Sequence, residues 1–359
     1  MLKRTLSLLL VVSLLSLFAA GAAGAAGPTS NRYRVSKLVS DVAGRAALPD
    51  KNLVNAWGLA AGPATPWWVA NNGTSTSTLY SGAGAIVPLV VKVGGAPTGA
   101  VFNGSSDFLV THHGHSEPSL FLFSTEGGRI RGWNPAVPPG ATSTRAFTVV
   151  DNSGADAIYK GLALASSHHG DLLYATDFHN GRVDVFNGSF APVHGGSFVD
   201  PTLPSGYAPF GIQNIGGTLF VTFAKQDPAA EDEIAGHGLG FVDMFNPAGK
   251  FLGRVATRGA LNAPWGLALA PSNFGRFSGD LLVGNFGNGK INAYGQESSG
   301  AYVPRGTLTN GKGNPISIDG LWALEFGNGD QAGPTNSLYF TAGPNEESHG
   351  LFGNIEAAG

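Results

Sequence analysis

The chain of 359 residues has no cysteine, two methionines and little charge, with Lys, Arg, Asp and Glu making up 13% of it. The missing thiol excludes disulfides, thiolate nucleophiles, thiolate-bound metals and a lipid attached through a cysteine. A folded chain of this size must then rely on a large buried core. Long apolar runs are also missing. The longest, residues 6–20, is 15 residues broken only by serines, short of the roughly 18 that a membrane-spanning helix needs, so no membrane insertion is expected. Basic excess is absent as well, since the formal net charge is −3. With no basic stripe to displace phosphate counterions, nucleic acid is excluded as a partner. There is no G-x-S-x-G elbow and no Gly-rich phosphate loop leading into a helix.

What is present begins with a leader. Lys3 and Arg4 precede the apolar run, and "AAGAAGAAG" follows it with small residues in an A-x-A arrangement. Residues 1–26 read as a secretory signal peptide cut between Ala22 and Gly27, leaving one domain over 27–359. The mature protein is expected to be secreted or periplasmic, and monomeric. It keeps 19 basic against 24 acidic residues.

The mature region is rich in Gly, with 54 in the whole chain, and carries an internal repeat. "NAWGLAAG" starts at Asn55, "APTGAVFNG" at Ala96, "IYKGLALAS" at Ile158, "APFGIQNIG" at Ala208, "NAPWGLALAP" at Asn262 and "IDGLWALEFG" at Ile318. The Gly anchors are Gly58, Gly99, Gly161, Gly211, Gly266 and Gly320, at intervals between 41 and 62. Six copies at such a period indicate a closed or stacked repeat architecture.

Each copy holds short apolar or alternating runs joined by turn residues. In the fifth, "WGLALAP", "DLLVGNF" and "KINAYG" follow one another, with the Asn-Gly of "GNG" closing the second hairpin. A further alternating run, such as "GKFLGRVATRG", ends most copies. Four antiparallel strands repeated six times make an all-β, six-bladed β-propeller. The sixth copy stops at Gly359 without a fourth strand, while "RYRVSKLVSD" at residues 32–41 belongs to no copy. The N-terminal strand is therefore expected to complete the last blade and seal the ring edge. Copy two contains two candidate hairpins, "DFLVTHHGHSEPSLFLF" and "LFLFSTEGGRIRGWNP", and its register stays open.

"LVSD", "NLVNAWGLA", "PTGAVFN", "GRIRGWNP", "YKGLAL", "LLYATDF" and "LLVGNFGNGKINAY" together resemble an uncharacterised bacterial family of exported propellers, some with a C-terminal PEP-CTERM sorting signal, and the blades are similar to NHL repeats. The resemblance implies the fold and no established activity.

In a propeller, the loops joining strands two and three share a face with those joining blades. Here they would gather Asn71, Asn72, the segment "HHGHSEP" with His112 and His113, Asp177, His179, the acidic "AAEDE" and "PNEESH", with Asn55, Asn262 and Asp319 between blades. In "HHGHSE", an extended backbone would aim His113, His115 and Glu117 one way, as metal ligands or as a locally bonded polar loop. His168 and His169 read as solvated loop residues on the opposite face. Asp177, Asn285, Asp319 and Glu346 come from separate blades and are the candidate oxygen ligands for an axial Ca²⁺, though Asn and Asp at strand ends also cap turns. Trp57, Trp265 and Trp322 are read as packing between blades or as ligand platforms. Two functions follow: a scaffold binding a small molecule, glycan or protein, or a metal-assisted, lactonase-like hydrolase or lyase at the axial face.

Overall fold

A computed structural model describes residues 30–167, 170–194 and 197–358. The leader at 1–26 and the pair His168 and His169 lie outside the described residues.

Six sheets surround one axis. Blade 1 runs Ala56–Ala60, Trp67–Asn71, Thr76–Tyr80 and Ile86–Lys92 from the inside outward. Blade 4 (Tyr207–Ile215, Thr218–Lys225, Phe241–Phe245, Phe251–Thr257) and blade 5 (Pro264–Leu269, Leu281–Asn285, Ile291–Gln296, Tyr302–Thr307) repeat that order. Blade 3 has three strands among the described residues, Tyr159–Ser167, Gly170–Asp177 and Arg182–Asn187.

Blade 2 resolves the open register. Its strands are Pro97–Phe102, Phe121–Thr125, Arg129–Trp133 and Phe147–Asp151, so "LFLFSTEGGRIRGWNP" is the ring hairpin. The other candidate is a separate two-stranded insert, Leu109–His112 paired with His115–Pro118. It interrupts the link from strand one to strand two and packs on the outer strands of the blade.

Blade 6 consists of Leu321–Phe326, Leu338–Ala342 and Leu351–Ala357, and the strand Tyr33–Ser40 closes it. The register runs antiparallel from Tyr33 opposite Ala357 to Ser40 opposite Leu351. Leu48–Pro49 adds a short parallel edge outside it.

The inner strands approach so closely that a side chain would not fit at their Gly. A Cβ on Gly161 would lie 2.9 Å from Ile212 N and Phe210 O, and one on Gly99 2.6 Å from Leu162 N. Gly58 and Gly211 meet the next blade in the same way. In the sixth blade the matching position is Ala323, beside Trp322, whose carbonyl faces Gly266. Gly320, the expected anchor, instead makes the preceding turn at φ +63°. Six apolar clusters fill the gaps between consecutive blades. That between blades 6 and 1 extends onto the axis through Trp57, Phe210, Trp265 and Trp322.

Candidate functional site

The residue just before each inner Gly or Ala points to the axis, where the ladder is broken by an irregularity in register in all six blades. Five of these positions hold Trp57, Thr98, Phe210, Trp265 and Trp322. The sixth holds Lys160. The aromatics meet across the axis as well as between neighbours: Trp57 stacks on Trp322 of the adjacent blade at 3.7 Å, while Trp57 meets Trp265 edge-on at 6.3 Å and Phe210 meets Trp322 at 5.9 Å. Trp57 and Trp322 are 2% and 0% exposed, so they form a solid floor.

Above that floor the ammonium of Lys160 lies 5.1 Å from the Trp57 ring and 5.9 Å from Phe178. Its side chain is fully buried and donates to Glu126 Oε1 at 2.6 Å and Asp232 Oδ1 at 3.2 Å. The network continues around the mouth. Asn72 Nδ2 donates to Glu126 Oε2 at 2.8 Å, and Asn55 Nδ2 donates to Glu347 Oε2 at 2.6 Å. The other end of the Asn55 amide accepts from the indole N–H of Trp57 at 2.8 Å and of Trp322 at 3.2 Å. Asn55 itself sits at φ +46°, a conformation Asn tolerates better than most residues. Glu126, Lys160, Asp232, Glu347 and Asn55 come from blades 2, 3, 4 and 6 and the entry to blade 1.

The electrostatics are uneven. Burial opposes the Lys160 charge, but Glu126 and its carboxylate neighbours outweigh it and hold the ammonium above its ordinary value. Burial pushes Glu233 up to about 8 despite nearby Lys160, and Glu347 is raised for the same reason. At neutral pH the mouth thus carries a firm cation and, in Glu233, a carboxyl that keeps its proton. The loop supplying Glu347 places Asn345, Glu346 and Glu347 at φ +58°, +52° and +61°. Three successive non-Gly residues in this region store strain of order 1–3 kcal/mol each.

The expected site residues divide sharply. Asn72 belongs to the network, whereas His179 follows Phe178, whose ring flanks Lys160, and bonds through its carbonyl, which accepts from Gln226 Nε2. Asn71, Asp177 and Asn285 occupy one position in three blades, each fully buried at the end of the second strand. They cap turns: Asn71 donates to Thr76 and Thr78, Asp177 accepts from Ile158 N and Asn180 and pairs with Arg182, and Asn285 donates to Ala260 O. Asp319 is exposed, accepting from Asn345 N and lining a separate groove of about 720 Å³, and Glu346 is exposed. The four proposed calcium ligands are therefore not brought together, and among the described residues no three His, Asp or Glu are grouped as metal ligands.

The placing of "HHGHSE" on the axial face is overturned. The segment lies in the inserted hairpin, whose connection opens on the other face. His112 stacks on Phe147 of the outer strand at 4.2 Å, and His113 makes the tight turn at φ +50°. His113, His115 and Glu117 do not share an extended run. Lys160 was legible by a different signal: lining up "YKGLAL" with "AWGLAA" and "PWGLAL" places one cation in a column of aromatics.

No family model matches the chain. Uncharacterised protein R648 of Acanthamoeba polyphaga mimivirus is 34% identical over 336 residues, covering 90% of this chain and 80% of that protein. Uncharacterised protein L690 of the same virus is 33% identical over 339 residues, covering 90% and 85%. Among solved structures, a streptogramin B lyase superposes with a TM-score of 0.53 at 10% identity, covering 91% of this chain and 98% of that one. A glucose dehydrogenase gives 0.53 at 12%, covering 91% and 99%. A protein of unknown function from Bacteroides thetaiotaomicron gives 0.56 at 11%, covering 90% and 76%. At these identities the structures share the propeller fold and nothing narrower. The chain belongs to the family of the mimivirus proteins R648 and L690.

Proposed function

We propose that the protein is an exported binding propeller whose axial mouth takes a small, neutral, polyhydroxylated ligand such as a glycan end. The observation that carries this reading is Lys160 of blade 3 buried among carboxylates and amides drawn from four other blades or blade entries. Donors from Asn55, Asn72 and Lys160 alternate with acceptors from Glu126, Asp232 and Glu347 over an aromatic floor, which suits hydroxyl groups that both donate and accept. Export rests on the leader at residues 1–26 and on the resemblance to exported bacterial propellers. Mass spectrometry of the protein from periplasm and medium should find its N-terminus between Ala22 and Gly27.

Titrating a panel of oligosaccharides while following tryptophan emission tests the ligand class, because Trp57 lies directly beneath Lys160. A saturable change that disappears in Glu126→Gln is expected. No response across the panel, or an unaltered response in that variant, counts against it.

A second reading is acid–base chemistry on such a ligand, favoured by a protonated Glu233 close to the Lys160 ammonium. It predicts turnover that Glu233→Gln abolishes while binding persists. The calcium-dependent form of that reading is tested by melting the protein in EDTA and then in added Ca²⁺. A site that binds the ion raises stability by about 2.7 kcal/mol at a hundred times Kd.

A further inference from the structure

The opposite end of the axis holds a second polar feature that the Lys160 mouth does not use. Two residues beyond each inner Gly or Ala, the six strands contribute Ala60, Val101, Ala163, Gln213, Ala268 and Glu325. Ala60, Val101 and Ala163 are small enough to leave room at this end of the axis. A cavity of about 210 Å³ forms there, lined by Leu59, Ala60, Val101, Ala163, Gln213 and Glu325 among others. By the roughly 30 Å³ that a liquid water occupies, it has room for a ligand of several heavy atoms. A space of about 30 Å³ beneath it reaches the Gly ring, and the aromatic floor separates it from Lys160.

Glu325 is half-buried and lines both spaces, and its carboxyl has no hydrogen-bond or ion-pair partner among the described residues. Its strand neighbours are apolar, and no other residue lining the cavity titrates. Burial alone pushes the carboxyl up to about 8. A carboxyl with no protein donor, facing a cavity with apolar walls, is placed to take a donor that enters from solvent.

We propose that this axial cavity is a second binding site, taking a small alkylammonium ion whose charged head pairs with the Glu325 carboxylate while its alkyl body packs on the alanine collar. Gln213 supplies a carbonyl to the same head group. The class follows from the pairing of one unsatisfied acid with an apolar sleeve: a hydrated metal ion gains nothing from the sleeve, and an anion is repelled.

Isothermal titration with n-propylammonium chloride, against KCl at equal ionic strength, tests the site. Saturable binding of the amine with no comparable binding of K⁺ is expected, along with a raised melting temperature. The isosteric Glu325→Gln should weaken binding about tenfold or more, and Ala163→Leu, which fills the collar and keeps the acid, should abolish it. Absence of saturable binding to the wild type, equal binding of K⁺, or undiminished binding in folded Glu325→Gln overturns the proposal.

Discussion

Lys160 donates to Glu126 across the gap between blades 3 and 2, and this bond is unequal to the one it makes with Asp232. Glu126 keeps 29% of its side-chain surface exposed and Asp232 keeps 73%, while Lys160 has none. Removing one partner from a buried pair costs about 3–5 kcal/mol, whereas an exposed pair is worth at most about 1. Glu126→Ala should therefore lose several times more unfolding free energy than Asp232→Ala. Urea denaturation of both variants measures this, and equal losses would show that the two carboxylates share the ammonium evenly.

The raised carboxyls set a pH dependence with a definite sign. Glu233 and Glu325, each pushed up to about 8 from an ordinary value of 4.5, hold protons in the folded state that the unfolded chain has released. Between those values the folded state binds more protons, so stability falls as pH rises. Their contribution is complete below about pH 4.5 and gone above 8. The melting temperature should drop from pH 6 to pH 9, and Glu233→Gln combined with Glu325→Gln should flatten that slope. A double variant with the wild-type slope would place its origin elsewhere.

Tyr33 is the anchor of the closing strand. It is 1% exposed, its hydroxyl donates to Phe274 O at 3.0 Å in blade 5, and its ring lies 4.9 Å from Phe274. Tyr33→Ala should cost about 3–5 kcal/mol, the range for emptying a large aromatic site. Deleting the chain up to Asp41 should be worse, because blade 6 then exposes a bare edge. Calorimetry of both forms checks the order, and an unchanged melting temperature in the truncated form would mean the ring does not depend on this strand.

Glycine substitutions separate close approach from chain freedom. Gly161→Ala puts a Cβ against the backbone of Phe210 and Ile212, where overpacking costs about 1–3 kcal/mol. Gly154 has nothing within 4 Å and no left-handed φ, so Gly154→Ala should be neutral or gain up to about 1 kcal/mol. Matched chemical denaturation curves for the two give opposite signs if the inner ring is as tight as it looks.

The ring itself was readable from residue order, because each hairpin carries its own alternation and turn pair within a short window. The closing strand was readable by its lack of any other partner. Blade 2 was not, since "DFLVTHH" and "LFLFST" both have strand character and local pattern does not say which hairpin faces the axis. Gly320 misled for a related reason: it serves a turn, and Ala323 fits where five other blades use Gly. At the site, Asn and Asp at strand ends looked like converging ligands, yet their turns claim their hydrogen bonds first. The informative residue was a lone Lys in an aromatic column, whose meaning depends on knowing that the column lines the axis.

Pairing Tyr33 with Ala357 has a temporal side. A ribosome makes the first described strand more than three hundred residues before its partner, and the contact closes nearly the full length of the chain. Five blades can assemble from near neighbours as they emerge, but the seam cannot form until residues 351–357 have been made. Contacts at such separation come late and slowly. Until then, the nascent protein is an open arc with one unclaimed strand.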